Sequence, residues 1–205
     1  MPTFLLIRHG ENDYFKQGRL AGRLPGIALN QQGRQQVQVL REKLASAPIR
    51  AIYSSPLERA METAGPIASS CSLEVTPRSG LLEVDIGEWQ GQTLKRLRRL
   101  KDWKIVQTAP SRMQFPAGET FFEAQTRICH ELEALTKLHD EKDLLVCVSH
   151  SDPIKLAVAY FIGLPLDLFQ RLHVAPASIT ILQIGSQGSN LLALNQDLSF
   201  NLTKT

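Results

Sequence analysis

The stretch TFLLIRHGEND, residues 3–13, joins a short apolar run to a cluster of polar residues. Residues 3–7 show no alternation of apolar and polar side chains, which is typical of a strand buried on both faces of a sheet. The run stops at Arg8 and His9, and Gly10 follows them. The segment therefore predicts an inner strand of a sheet that carries functional side chains at its carboxyl end.

A second segment shows the same order of strand, polar turn and helix. A strand is predicted over 49–53, and Ser55 and Pro56 after it are typical of the N-cap and first residue of a helix. This assignment places Arg59 in the first turn of that helix.

A third segment repeats the arrangement. The apolar run 144–148 predicts a strand, Asp152 and Pro153 predict the N-cap and first residue of a helix, and Gly163 predicts its end. His150 lies in the turn between the strand and the helix.

The remaining segments complete an α/β pattern. Val37, Leu40 and Leu44 recur at helical spacing and predict a crossover helix between the first two strands. Thr120 and Glu123 form a capping-box pattern at the start of a helix that runs to about residue 139. Further strands are expected at 73–76, 178–184 and 191–195, the last two joined by the turn-forming sequence GSQGSN.

These elements predict a three-layer α/β/α sandwich around a mostly parallel sheet, in a single domain of residues 1–205. Residues 85–118 are predicted to be an irregular insertion beside the ligand-binding edge of the sheet. Its basic run at 95–104 is interpreted as a solvated helix face with Leu97 and Leu100 on the apolar side.

Composition narrows the function classes. The formal net charge of +3 does not indicate a nucleic-acid or membrane partner. The three cysteines, Cys71, Cys129 and Cys147, are far apart and support neither a disulfide framework nor a zinc site. The N-terminal apolar run is shorter than a signal-peptide core, and no apolar stretch reaches membrane-spanning length. We expect a cytoplasmic protein, monomeric or homodimeric.

Arg8, His9, Arg59 and His150 are expected to converge, because the carboxyl ends of parallel strands share one edge of a sheet. Two arginines, two histidines and two helix N-termini suit a tetrahedral oxyanion such as phosphate. His9 is the candidate nucleophile: one ring nitrogen attacks phosphorus while the other donates a hydrogen bond, commonly to a backbone carbonyl. The product of that attack is a phosphohistidine.

Six segments, in chain order, resemble those of the histidine phosphatase superfamily, which has the phosphoglycerate mutase-like fold: RHGE, RLAGRLPGIALNQQGRQQV, YSSPLERAMETA, LLEVDIGEWQG, FPAGET and VSHSDPI. The resemblance covers nearly the whole chain. Position by position it implies His9 as nucleophile and a phosphate pocket formed by Arg8, Arg59 and His150.

The resemblance also implies roles that spacing alone does not predict. Glu83 matches the proton donor to the leaving group, with Asp85 and Glu11 the next candidates, and Arg19 matches a position that lines the pocket. Many relatives carry an asparagine where this chain has Phe15. One phosphate contact is therefore missing, or it comes from Asn12.

The leading hypothesis is a phosphatase that hydrolyses small phosphomonoesters without metal or other cofactor. Arg8, Arg59 and a protonated His150 are expected to neutralise the phosphoryl charge, and His130, His139 and His173 lack metal-ligand spacing. A phosphoglycerate-type mutase is the second hypothesis, although the short insertion lacks the proline-rich stretch that the family's mutases carry. A catalytically silent module that binds phosphorylated ligands is the third. The sequence does not identify the substrate.

Overall fold

The computed structural model describes residues 1–196, and the described chain contains one six-stranded sheet. Its strands are β1 (Thr3–Arg8), β2 (Ile49–Ser54), β3 (Val75–Pro77), β4 (Leu144–Ser149), β5 (Ile179–Gly185) and β6 (Gly188–Gln196). The spatial order is β3-β2-β4-β1-β5-β6. The pairs among β3, β2, β4 and β1 are parallel, and β5 is antiparallel to both of its neighbours. The mostly parallel sheet is confirmed.

Helices cover both faces of this sheet. They are α1 (Asp13–Lys16), α2 (Gln31–Leu44), α3 (Glu58–Ser70), α4 (Leu94–Leu97), α5 (Lys101–Thr108), α6 (Phe121–Thr136) and α7 (Ser151–Phe161). Leu5 and Ile7 of β1 share one apolar cluster with α2 and α3. Phe4 and Leu6 share the opposite cluster with α6 and α7. The alternation of side chains along a buried strand thus produces the predicted three-layer sandwich.

No helix within residues 1–196 is both long enough and apolar enough to cross a membrane.

The predicted start of α3 is wrong by two residues. The helix begins at Glu58, with Leu57 as its N-cap, instead of at Pro56 after Ser55. Ser55 is engaged elsewhere, because its backbone N–H donates to the Val148 carbonyl and its hydroxyl is hydrogen-bonded to a histidine of the candidate site. Arg59 still lies in the first turn, as predicted.

The predicted start of α7 is wrong in the other direction. The helix begins at Ser151, with His150 as an N-cap residue of extended backbone, so the turn after β4 is shorter than predicted. Asp152 lies inside the first turn, where its carboxylate pairs with Lys155 at 2.7 Å instead of capping the helix. Gly163 follows the helix end with a φ of +72°, which confirms its role as a stop.

Other boundaries also differ from prediction. Strand β3 begins at Val75 instead of residue 73, and β6 is longer than predicted because Ser186 and Gln187 alone form the hairpin turn. Helix α6 carries the predicted capping box and ends at Thr136.

Residues 85–118 contain two short helices, α4 and α5, where the sequence predicted irregular structure. The single solvated helix face predicted for the basic run is also wrong, because the run is divided between these helices. Leu97 is buried as expected, but 42% of Leu100 is exposed.

Candidate active site

The candidate site lies where β1 and β4 end side by side. Arg8 is the last residue of β1 and pairs in register with Ser149, the last residue of β4. The next residue along each strand is a histidine, and the ring centroids of His9 and His150 are 5.1 Å apart. Helix α3 contributes Arg59, whose side chain is hydrogen-bonded to both rings. The structure therefore brings together the four residues that were expected to converge.

The imidazole of His9 is almost fully buried and held at both nitrogens. Its Nε2 atom is 3.3 Å from Arg59 Nε, and a guanidinium nitrogen can only donate, so Nε2 is the acceptor. Nδ1 therefore carries the proton, which it donates to the Gly10 carbonyl at 2.7 Å. Burial, with Arg59 and Arg8 close by, lowers the pKa of His9 well below its usual range. His9 is thus a neutral imidazole with its lone pair on Nε2.

His150 is fully buried and is also neutral. Its Nδ1 atom accepts from Arg59 Nη2 at 3.3 Å, which leaves Nε2–H to donate to Ser55 Oγ at 2.8 Å. Burial, followed by the positive charge of Arg59, lowers the pKa of His150 well below its usual range. The expectation of a protonated His150 concerns the site with phosphate bound, and it stays a prediction.

Both arginines have buried N–H groups that no acceptor among the described residues satisfies. Arg59 donates from Nη2 to the Gly22 carbonyl at 2.7 Å, while its Nη1 has no partner in that part of the chain. Arg8 donates from Nη1 to the Val174 carbonyl at 2.7 Å, while its Nε likewise has no partner among the described residues. Unpaired buried donors are unfavourable. Because they belong to permanent cations, they suit an anionic oxygen acceptor.

Glu83 lies beside the histidines on a loop. Its Oε2 atom is 4.0 Å from His150 Nδ1, and its Oε1 accepts from the Val84 backbone at 2.9 Å. Burial, reinforced by the nearby carboxylate of Asp152, raises the pKa of Glu83 to about 7. The carboxyl group is therefore poised to donate a proton near neutral pH.

Three residues that sequence reasoning missed fix the backbone of Glu83. Its carbonyl oxygen accepts from Arg23 Nε at 2.8 Å and from Arg127 Nη2 at 3.3 Å. The Glu119 carboxylate accepts from both of these arginines, at 2.9 and 2.7 Å. Arg23 and Glu119 lie inside the quoted segments RLAGRLPGIALNQQGRQQV and FPAGET, and this was the only signal that could have indicated them.

Asn12 and Phe15 lie at the edge of the arginine cluster. Asn12 is buried and caps α1 by accepting from the Phe15 backbone N–H at 2.9 Å. The Phe15 ring lies 4.9 Å from the Arg8 guanidinium, a cation–π arrangement. Phe15 therefore packs against a positively charged side chain where many relatives were expected to supply an amide.

The site opens into a cavity of about 350 Å³, within the range of small-molecule pockets. Arg19 lines this cavity, donates from Nε to the Gly91 carbonyl at 3.0 Å and stacks on Tyr14. The cavity is also lined by the predicted site residues Arg8, His9, Asn12, Arg59 and Glu83. His150 is not among the lining residues, but it lies within 3.3 Å of Arg59 and 4.0 Å of Glu83.

The described residues contain no group of three histidine, cysteine or acidic side chains that could hold a metal ion. His139, one of the three histidines set aside from the sequence, is hydrogen-bonded to Tyr53 and Asp143 instead. The absence of a cofactor remains a prediction.

Comparison with known proteins places this geometry in context. The family model for the histidine phosphatase superfamily (branch 1) matches residues 4–197. Phosphoserine phosphatase 1 of Hydrogenobacter thermophilus is 28% identical over 197 residues, which cover 95% of this chain and 92% of that protein. A 2,3-bisphosphoglycerate-dependent phosphoglycerate mutase of Thermoplasma acidophilum is 28% identical over 185 residues, covering 90% and 88%. The solved structure of Entamoeba histolytica phosphoserine phosphatase with 3-phosphoglyceric acid is similar with a TM-score of 0.86, 27% identity and coverage of 96% and 98%.

Proposed function

This chain belongs to the histidine phosphatase superfamily and is a histidine phosphatase of small phosphomonoesters, and we propose that it acts through a phosphohistidine on His9 without a metal. The arrangement of His9 carries the proposal. Its Nδ1–H is held by a backbone carbonyl, and its Nε2 lone pair accepts from the buried guanidinium of Arg59. A neutral imidazole oriented in this way can attack a phosphorus atom.

Two steps complete the proposed reaction. In the first, His9 Nε2 forms a bond to phosphorus, the ester P–O bond breaks, and the Glu83 carboxyl gives its proton to the departing oxygen. In the second, water attacks the phosphohistidine, the P–N bond breaks, and the Glu83 carboxylate takes a proton from that water. Inorganic phosphate and the alcohol leave, and the site returns to its starting protonation state.

Arg8, Arg59 and His150 are proposed to bind the phosphoryl oxygens. The unpaired N–H groups of the two arginines supply donors that need no rearrangement of the backbone. A bound phosphate dianion opposes the positive field that lowers the pKa of His150, so binding favours protonation of its Nδ1. His150 then becomes a third cationic donor only when the substrate is present.

Asn12 and Arg19 are proposed as supporting contacts. The Oδ1 atom of Asn12 is occupied as a helix cap, which leaves its amide N–H groups as the donors for phosphate. Arg19 is held on the cavity wall by Gly91 and Tyr14.

Cytoplasmic localisation and a monomeric or dimeric state also remain our proposals.

A mutase activity is the second candidate, because the Thermoplasma acidophilum relative is named a phosphoglycerate mutase. A mutase must protect its phosphoenzyme from water and return the phosphoryl group to the substrate. A phosphatase releases inorganic phosphate instead. The third hypothesis, a silent binding module, predicts neither outcome.

Measurements of phosphate release, phosphoglycerate interconversion and phosphate binding separate these candidates. We expect inorganic phosphate to be released from phenyl phosphate in excess chelator, at a rate unaffected by added divalent ions. Interconversion of phosphoglycerate isomers without phosphate release would establish the mutase. Binding of phosphate without turnover would establish the silent module, and activity that is lost on chelation and restored by a divalent ion would overturn metal independence.

A further inference from the structure

The lining of the cavity has two chemically different parts. One part is the polar cluster of Arg8, His9, Arg59 and Glu83. The rest of the cavity is lined mainly by apolar side chains that come largely from residues 84–115. The residues of this apolar wall used below are Val84, Trp89, Leu94, Trp103, Val106 and Phe115.

The apolar wall is held in place by aromatic packing. Trp89 stacks on Trp103 with ring centroids 6.2 Å apart and an interplanar angle of 22°. Phe115 meets Trp89 edge to face at 5.3 Å and also contacts Phe121 at 5.2 Å. Trp89 and Phe115 are almost fully buried, which fixes their rotamers. A preformed surface of this kind binds an apolar group without first being ordered.

The wall begins next to the proton donor. Val84 directly follows Glu83, and both line the cavity. In the proposed reaction the Glu83 carboxyl protonates the oxygen that joins the phosphoryl group to the rest of the substrate. The organic part of the leaving group therefore departs along the apolar wall.

Few charges are left for an ionic leaving group. The cations that line the cavity among the described residues are Arg8, Arg19 and Arg59, and the proposed reaction uses Arg8 and Arg59 for phosphate. The lining also includes the carboxylate of Asp152, which pairs with Lys155, and a second carboxylate beside it is unfavourable. Arg19, proposed above as a supporting phosphate contact, is the third of these cations, and its Nε already donates to a backbone carbonyl.

We propose that the preferred substrates are phosphomonoesters of predominantly apolar alcohols, aryl or alkyl, whose organic group lies against the apolar wall. This inference rests on the proposed phosphatase activity. It disfavours amino-acid and sugar-acid phosphates, whose leaving groups carry a carboxylate.

Three primary alkyl esters test this preference with leaving groups of similar chemistry: 2-phenylethyl phosphate, ethyl phosphate and phosphoserine. We expect kcat/KM for 2-phenylethyl phosphate to exceed that for ethyl phosphate by about 10-fold to 200-fold, the range that apolar contacts in a pocket provide. Phosphoserine should not exceed ethyl phosphate. Equal or better turnover of phosphoserine would overturn the inference while leaving the phosphatase intact, whereas no release from any ester, phenyl phosphate included, would overturn both.

A pair of leucine variants tests the wall itself. Leu94 lines the cavity, whereas Leu100 lies outside it on the same segment with 42% of its surface exposed. Leu94→Ala should lower kcat/KM for 2-phenylethyl phosphate by about tenfold and should lower that for ethyl phosphate much less, because the ethyl group offers less surface to the wall. Leu100→Ala should change neither. Equal losses on both esters in Leu94→Ala would show that the wall does not select the leaving group.

Discussion

The Nε2 atom of His9 accepts a hydrogen bond from Arg59 Nε, at 3.3 Å. The same guanidinium is 3.3 Å from Nδ1 of His150 through its Nη2 atom. One buried cation thus fixes the orientation of two imidazoles, and its charge adds to the effect of burial in lowering the pKa of both. In the proposed mechanism, phosphate oxygens take over the Arg59 donors, and Nε2 of His9 is released toward phosphorus.

Arg59→Lys keeps the positive charge but removes the guanidinium geometry. It should nevertheless impair catalysis strongly. A lysine ammonium cannot bond to both histidines and to phosphate with the planar fork of an arginine. We expect kcat/KM for phenyl phosphate to fall by about 10²–10³-fold, comparable to the loss of a preorganised donor to a developing oxyanion. Arg41→Lys, on the exposed side of α2, is the control and should be silent. Activity of Arg59→Lys within threefold of the unmodified protein would contradict the proposed geometry.

The pH dependence should reveal Glu83. Its pKa of about 7 means that the proton needed by the leaving group is lost as pH rises through 7, whereas His9, with a lowered pKa, stays unprotonated well below that pH. Turnover of alkyl phosphates should therefore be highest below pH 7 and should decline above it. Kinetic profiles of kcat/KM between pH 5 and 9 measure this decline.

Glu83→Gln provides the matched comparison, because substrate ionisation affects both proteins equally. The variant should lose the alkaline decline and turn over alkyl phosphates about 10²–10⁴-fold more slowly. Phenyl phosphate should be affected much less, since a phenolate needs little protonation. Equal losses on both ester types would reassign the acid, with Asp85 and Glu11 the next candidates.

Glu119 is predicted to position the proton donor without touching the substrate. Its carboxylate accepts from Arg23 and Arg127, which together hold the backbone carbonyl of Glu83. Glu119→Gln should lower kcat for alkyl phosphates by about tenfold, with little change in KM, and should shift the alkaline limb of the pH profile. Glu123→Gln, a nearby exposed glutamate that only caps α6, is the control. If Glu119→Gln changes thermal stability but leaves the pH profile unmoved, the role is merely structural.

The parts of the site that could be predicted from sequence are those encoded locally. An apolar run that stops at Arg8 and His9 specifies both a buried strand and its functional end, and the β4 segment does the same for His150. The starts of α3 and α7 were misplaced because Ser55 and Asp152 have local cap chemistry but are engaged differently: Ser55 bonds to the distant His150, and Asp152 pairs with Lys155 inside α7.

The rest of the site depends on contacts between distant parts of the chain. Glu83 lies on a loop without a periodic pattern, and its raised pKa comes from burial and from Asp152, which is far away in sequence. The arginines that hold its backbone come from equally remote segments. The lowered pKa of His150 likewise comes from burial and from Arg59, neither of which a sequence pattern shows.

The phosphoenzyme is the strongest test of the mechanism. If His9 attacks phosphorus, rapid quenching in alkali should trap a phosphoryl group that is stable to base and lost in acid, as a phosphorus–nitrogen bond behaves. A phosphoserine would show the opposite sensitivity. His9→Ala should abolish both labelling and turnover, and it should remain folded because His9 follows β1 and lies outside its packed run.

Two further variants test whether labelling depends specifically on His9. His130→Ala removes an exposed histidine of α6 and should label at the normal rate. His150→Ala keeps the nucleophile but loses a partner of Arg59, so labelling should be slow instead of absent. The Gly10 carbonyl and Arg59 orient the His9 lone pair, and His9→Ala leaves no nitrogen at that position. Labelling of His9→Ala at the normal rate would therefore remove the basis of the proposed mechanism.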